Sequence, residues 1–225
     1  MTRTVVVKLG GRALAYVPVV AEMARKGRVC VVHGGGAQIS AIARERGVEP
    51  HFVGGRRVTD EAMLACVREG LGQVSAELCA ALEAVGVPTV ALSDGVADVR
   101  RVPELGFVGE PVSARTDALL AALAAGRVPV VAPLGRDADG AILNVNADDS
   151  AAAVAAALAA DELIFLSDVP GVLDERGAVL SQISASRPPA SASGGMLPKL
   201  EACTTALIGG VARVRIGVAG TVVTR

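Results

Sequence analysis

The chain has 225 residues, 52% of them hydrophobic, and its 22 basic and 23 acidic side chains leave a formal charge of −1. That balance gives no electrostatic reason to expect nucleic acid or an anionic membrane, and three Phe, one Tyr and no Trp leave little surface for stacking bases. No apolar run reaches the ~20 residues that span a bilayer, "MTRTVVVKLGG" holds no secretory core, and four cysteines without CxxC spacing read as reduced buried thiols, so a cytoplasmic protein is expected.

In chain order, "TVVVKL" and "RVCVVH" read as strands that are apolar on successive residues, as strands covered on two faces are. "AQISAIARER" reads as a helix ending before Gly47, and "TDEAMLACVREGLGQVSAELCAALEAVG" as a long helix with Thr59 as N-cap and Gly86 as stop. "VPTVAL" is a strand, "SDGVADVRRVPELGFVGEP" a β-rich excursion with turns, "DALLAALAAG" a helix and "RVPVVAP" a further strand. "AILNVNADDS" alternates like a strand and then turns polar just before the alanine helix "SAAAVAAALAA", which Asp149 and Ser150 are expected to cap. "ELIFLSD" is again a strand, "SASRPPASASGG" a loop without apolar period, expected to be mobile, and "LPKLEACTTALIGG" a helix with Pro198 near its first turn. The alternation predicts an α/β fold with a mostly parallel central sheet in one domain, residues 1–225.

Ligands of such sheets gather at the carboxyl ends of the strands. Here those ends carry Lys8, Gly10 and Gly11; Gly34, Gly35 and Gly36; Asn144, Asn146 and Asp148; and Ser167 and Asp168. Glycine clusters suggest anions held by backbone N–H groups. The standard nucleotide motifs are missing: there is no GxxxxGK[ST], and Ile39 stands where GxGxxG needs its last glycine, which weakens a dinucleotide-dependent oxidoreductase. "HGGG" has no GxSxG partner for ester hydrolysis, and two histidines with unspaced cysteines do not make a zinc site. What remains are Lys8, inside an apolar strand, Lys199, in the first turn of a helix, and Asp148. Each lysine can alternatively snorkel to water. Two cations with anion cradles and no candidate base suit phosphoryl transfer to a carboxylate, which is already ionised at neutral pH and needs no base.

The motifs "VVVKLGG", "VVHGGGAQI", "GGRRVTDEAM", "LGFVGEPVS", "LNVNADDSAAAVAAAL", "LSDVPGVLDERG" and "SGGMLPKLEAC" occur in order, and together they resemble the acetylglutamate kinases of the amino acid kinase family from about residue 4 to residue 217. The resemblance implies an open αβα sandwich and ATP-dependent phosphorylation of the γ-carboxylate of N-acetyl-L-glutamate in arginine biosynthesis. It places the amino acid on an N-terminal lobe, residues 1–135, and ATP on a C-terminal lobe, residues 136–225. Lys8 and Lys199 are implied to stabilise the transferring phosphoryl group and Asp148 to hold both. Gly35, Gly36, Arg57 and Asn144 are implied to bind N-acetylglutamate. Gly10, Gly11, Asp168, Val169, Gly171, Val172, Leu173, Gly195, Met196 and Lys199 are implied to surround ATP, whose phosphates carry Mg2+ with no direct protein ligand. Asn146 is either a site residue or a turn-fixing one. The family's habit implies a homodimer. With only "MTR" before the first strand and a trimmed end, "VAGTVVTR", no arginine inhibition is expected, and the last two strands should meet through a tight turn. The rivals are a kinase for carrier-linked aminoadipate or glutamate and a silent binding protein of the same fold.

Overall fold

The computed structural model describes residues 2–93, 95–192 and 194–225. The chain runs through β1 (Thr4–Leu9), α1 (Val17–Lys26), β2 (Arg28–His33), α2 (Gly36–Glu45), β3 (Phe52–Val53), β4 (Arg56–Arg57) and α3 (Glu61–Ala84). It continues through β5 (Thr89–Leu92), β6 (Ala97–Arg101), β7 (Val108–Ala114), α4 (Asp117–Ala124), β8 (Val128–Val131), β9 (Leu134–Arg136) and β10 (Ile142–Val145). The last elements are α5 (Ala147–Ala157), β11 (Glu162–Leu166), β12 (Gln182–Ser184), α6 (Met196–Ile208), β13 (Val214–Ile216) and β14 (Thr221–Thr224).

Eight strands form the central sheet in the order β12-β14-β13-β11-β1-β2-β8-β5. Every neighbouring pair is parallel except β13 with β14. That one antiparallel pair is closed by the tight turn through Gly217, whose φ of +88° suits glycine. The sheet is covered on both faces because its strands are apolar on both. On β1, Val5, Val7 and Leu9 pack with α1 and α3 residues such as Val20, Leu78 and Leu82. Val6 faces the other way, into a cluster with Ala151, Ala155, Cys203 and Ala206 of α5 and α6. Burying each such Val or Leu contributes about 1.5–3 kcal/mol. The small side chains of α5 let that helix lie close on the sheet.

The period of two along β1 puts Lys8 on the same face as Val6, toward α5 and α6. The polar residue in "VVVKL" therefore points to the start of α5, where "NAD" lies.

Outside the sheet, β6, β7, β9 and β10 close into a small barrel around Ala97, Val99, Leu143 and Val145. A Cβ at Gly135 would lie 2.2 Å from Val99, so only glycine lets these strands approach. The strands β3 and β4 form a separate hairpin, turned by Gly54 and Gly55, both at positive φ.

Two capping expectations are corrected. Asp60, not Thr59, caps α3, and its carboxylate accepts a bond of 2.7 Å from the N–H of Met63. The Thr59 hydroxyl instead donates to the Arg57 carbonyl. The alanine helix begins at Ala147, three residues before the alanine run, and its cap is Asn146, not Asp149 or Ser150. The Asn146 side-chain oxygen accepts from the N–H groups of Asp148 at 2.8 Å and Asp149 at 3.3 Å. Asp148 and Asp149 thus sit in the first turn, where the helix dipole favours negative charge.

Candidate active site

At the carboxyl edge of the sheet one carboxylate holds two cations. Lys8 Nζ lies 2.8 Å from Asp148 Oδ1, and Lys199 Nζ donates to Asp148 Oδ2 at 2.8 Å. The first contact is an ion pair between two largely desolvated groups. Three elements meet here: β1 brings Lys8, the start of α5 brings Asp148, and the first turn of α6 brings Lys199. Lys199 also lies 5.0 Å from the centre of the Phe165 ring.

The electrostatics follow from burial. Burial pushes the Asp148 carboxyl up, but the charges of Lys8 and Lys199 outweigh it and the net direction is down. Burial and the neighbouring charge of Lys8 both pull the Lys199 ammonium down from 10.5. Two ammonium groups against one carboxylate leave net positive charge in a half-closed, low-dielectric place, which attracts an anion.

Cavities open on either side of this triad. One, of about 480 Å³, is lined by Lys8, Gly10, Gly11, Gly34, Gly35 and Gly36 among others. A second, of about 660 Å³, is lined by Asp168, Val169, Gly171, Val172, Leu173, Gly195, Met196 and Lys199 among others. Lys8 therefore faces one cavity and Lys199 the other, with Asp148 between them. Gly10 and Gly11 wall the first cavity rather than the second. They touch the second at its seam, because a Cβ on Gly11 would lie 2.7 Å from Asp168 Oδ2.

A smaller cleft of about 180 Å³ adjoins the glycine-walled cavity and shares Gly34, Gly35 and Gly36 with it. Its walls include Phe52, Arg56, Arg57, Asn144 and Asn146. The helix α2 starts here with Gly35 as N-cap, so its first N–H groups lack intrahelical partners and suit an anion. The Arg57 guanidinium is buried, donates to Ser40 Oγ at 2.8 Å and to the Gly36 carbonyl at 3.3 Å, and lies 4.6 Å from the centre of the Phe52 ring. Among the described residues no carboxylate reaches it. Burial pulls its pKa down. The Asn144 amide donates to Thr59 Oγ1 at 3.1 Å. Asn146 both caps α5 and lines the cleft.

His33 takes no part. It is fully buried, its Nδ1–H donates to the Gly34 carbonyl at 2.9 Å, and Nε2 accepts from the Ser75 hydroxyl at 2.7 Å. Burial pushes its pKa down to about 4, so it is neutral.

Sequence reasoning missed Ser40, Phe52, Thr59 and Arg56. Ser40 had a local signal, since it stands four residues after Gly36 on the same face of α2. Phe52 was legible as a rare aromatic before a glycine turn. Arg56 and Thr59 show their roles only through partners far along the chain.

The model of the Amino acid kinase family matches residues 3–217. The acetylglutamate kinase of Koribacter versatilis (strain Ellin345) is 44% identical over 94% of this chain and 89% of its own length. That of Symbiobacterium thermophilum is 38% identical over 95% and 83%. A crystal structure from Streptococcus mutans UA159 superposes with a TM-score of 0.89 at 30% identity, covering 100% of this chain and 99% of that one. Giardia carbamate kinase superposes with a TM-score of 0.74 at 18% identity, covering 100% and 99%. That last likeness speaks to the fold alone.

Proposed function

The chain belongs to the amino acid kinase family, and on that premise we propose how its site works as an acetylglutamate kinase. It phosphorylates the γ-carboxylate of N-acetyl-L-glutamate with ATP to give an acyl phosphate, in arginine biosynthesis. The single observation that carries the site is the Lys8–Asp148–Lys199 triad standing between two cavities.

In this reading N-acetylglutamate lies in the glycine-walled cavity and its adjoining cleft. Arg57, buried without a carboxylate, takes the α-carboxylate, where a fork of donors fixes orientation as well as charge. Gly35 and Gly36 offer N–H groups from the start of α2, and Asn144 binds from the end of β10. ATP lies in the larger cavity against Asp168 to Leu173, Gly195 and Met196, with Gly10 and Gly11 between the two ligands. The γ-carboxylate, ionised without a base, attacks the γ-phosphorus while the bond to the ADP oxygen breaks. Lys8 from the acceptor side and Lys199 from the nucleotide side stabilise charge that spreads over the phosphoryl oxygens. Asp148 keeps both ammonium groups in place. The residues to 135, together with β10, which pairs with β7 and β9, act as the acceptor lobe and the residues after β10 as the nucleotide lobe, the two joined through the pairing of β1 with β11.

Magnesium, in the same reading, sits on the ATP phosphates, because Asp148 is committed to two lysines and Asp168 to Arg12. It neutralises phosphate charge when bound. We place the enzyme in the cytoplasm as a homodimer, the assembly being checked by light scattering after gel filtration. The test of function is ADP release, with hydroxylamine trapping of the acyl phosphate, for N-acetylglutamate, glutamate, aspartate and UMP side by side. Hydroxamate formed from N-acetyl-L-glutamate supports the reading. Turnover only of another acceptor, or only of a carrier-linked one, overturns it.

A further inference from the structure

The hairpin of β3 and β4 overhangs the substrate cleft and carries Arg57, yet it belongs to neither the central sheet nor the barrel. Its neighbour Arg56 reaches the other way. Arg56 Nη1 lies 2.5 Å from Glu110 Oε1 on β7, and Nη2 lies 3.3 Å from Asp149 Oδ2 in the first turn of α5. Arg56 therefore ties the hairpin to the barrel and to the same helix turn that holds Asp148. Ser40 and the Gly36 carbonyl receive Arg57 on the opposite side. Resting on the proposed reading of the cleft, we infer that Arg56, bridging Glu110 and Asp149, is a positioning residue. It latches the hairpin shut over the bound amino acid and so aims Arg57 at its carboxylate.

The latch has a built-in pH range. Asp149 faces Arg56 from β4, Glu110 from β7, Glu201 from α6 and Asp148 on its own helix. Burial raises its carboxyl, Arg56 opposes this, the three carboxylates add to it, and the group rises to about 6. Glu110 moves the other way, lowered by Arg100 and Arg56, so it stays charged. Below pH 6 the latch loses the Asp149 charge and keeps the Glu110 one. The sign for stability is opposite. A carboxyl raised in the folded state makes the fold more stable as pH falls from above 6 toward the unfolded value of 3.8. Acid thus favours the fold and loosens the latch, which separates positioning from mere structural support.

Three variants of the full-length protein test this, with hydrogen exchange of the hairpin peptide, residues 50–58, read in the absence of substrate. Arg56→Gln should raise KM for N-acetylglutamate about tenfold with kcat and KM for ATP within about twofold, as loss of charge-assisted ground-state positioning does. It should also speed exchange of the hairpin. Arg56→Lys should recover only part, since a point charge does not span two carboxylates as a fork does. The native enzyme should show a rise in KM between pH 7 and 5.5; Asp149→Asn should raise KM at pH 7.5, abolish that rise, and raise Tm at pH 7.5. Unchanged hairpin exchange in Arg56→Gln overturns the latch whatever the substrate proves to be. Normal KM in that variant, beside a native enzyme active on N-acetylglutamate, overturns the latch alone. A native enzyme inactive on that substrate overturns the functional reading, while the exchange data still decide the latch.

Discussion

Two buried carboxylates stand near opposite ends of the paired strands β1 and β11, and they keep different company. Asp148 and Glu162 are 8% and 2% exposed. Glu162, beside Val5 in the strand register, is met by Arg3 at 2.5 Å, Arg215 at 3.2 Å and Arg213 at 3.6 Å. Those arginines reach water, with side chains 55%, 21% and 52% exposed. The cations of Asp148 are far less exposed, at 11% for Lys8 and 8% for Lys199, and each faces a cavity. A carboxylate ringed by three arginines, two of them largely in water, closes the base of the sheet. A carboxylate holding two desolvated lysines beside empty space holds charge ready for a ligand. Burial and pairing alone do not mark a functional site; the environment of the cations does.

Removing a lysine should break the symmetry most sharply. Lys8→Ala and Lys199→Ala should each lower kcat about 10²–10³-fold, the cost of deleting one transition-state charge, with the fold retained by circular dichroism. Arg57 tests the same contrast from the substrate side, since it is an arginine without the carboxylate that Arg3, Arg213 and Arg215 share. Arg57→Ala should raise KM for N-acetylglutamate by about 10–100-fold and KM for ATP much less, as loss of a charged hydrogen-bonding group predicts.

At the base the expected effect moves from rate to stability. Glu162→Gln should lower stability by about 1–3 kcal/mol in urea unfolding, less than a fully buried pair because its partners are solvated. Its kcat should stay native; a rate loss like that of the lysine variants would erase the distinction. The smallest effect belongs to the residue that lines the cleft yet caps α5. Asn146→Ala should cost about 1 kcal/mol through the lost cap, and unchanged stability would show the cap to be incidental.

Much of this was legible in the chain. Lys8 was visible because a charge broke an apolar strand, and period two then put it on the face of α5 and α6. The polar tail of "AILNVNAD" pointed to a strand that ends at a cleft, and Asn144 and Asn146 line one. A mostly parallel central sheet followed from alternating apolar strands and helices, while its eight strands and their order did not. The rest depended on chain-distant neighbours. Thr59 and Asp60 are equally good caps by residue type, and only the turn geometry chose between them. Asn146 looked like a site residue because cap and cleft coincide there. Arg56 and Asp149 are 93 residues apart, and Glu162 with Arg3 is 159 apart, so no local pattern marks either pair. The closure of β6, β7, β9 and β10 into a barrel is likewise a matter of pairing rather than propensity.

The proposed role of the cations at Asp148, and not of those at Glu162, is to drive chemistry. It is tested most directly by hydroxamate formation from N-acetyl-L-glutamate by Lys8→Ala at saturating MgATP, in protein shown to be folded. A rate at least about 100-fold below native is expected. A near-native rate would contradict it, because Lys8 would then be no more than another buried structural cation.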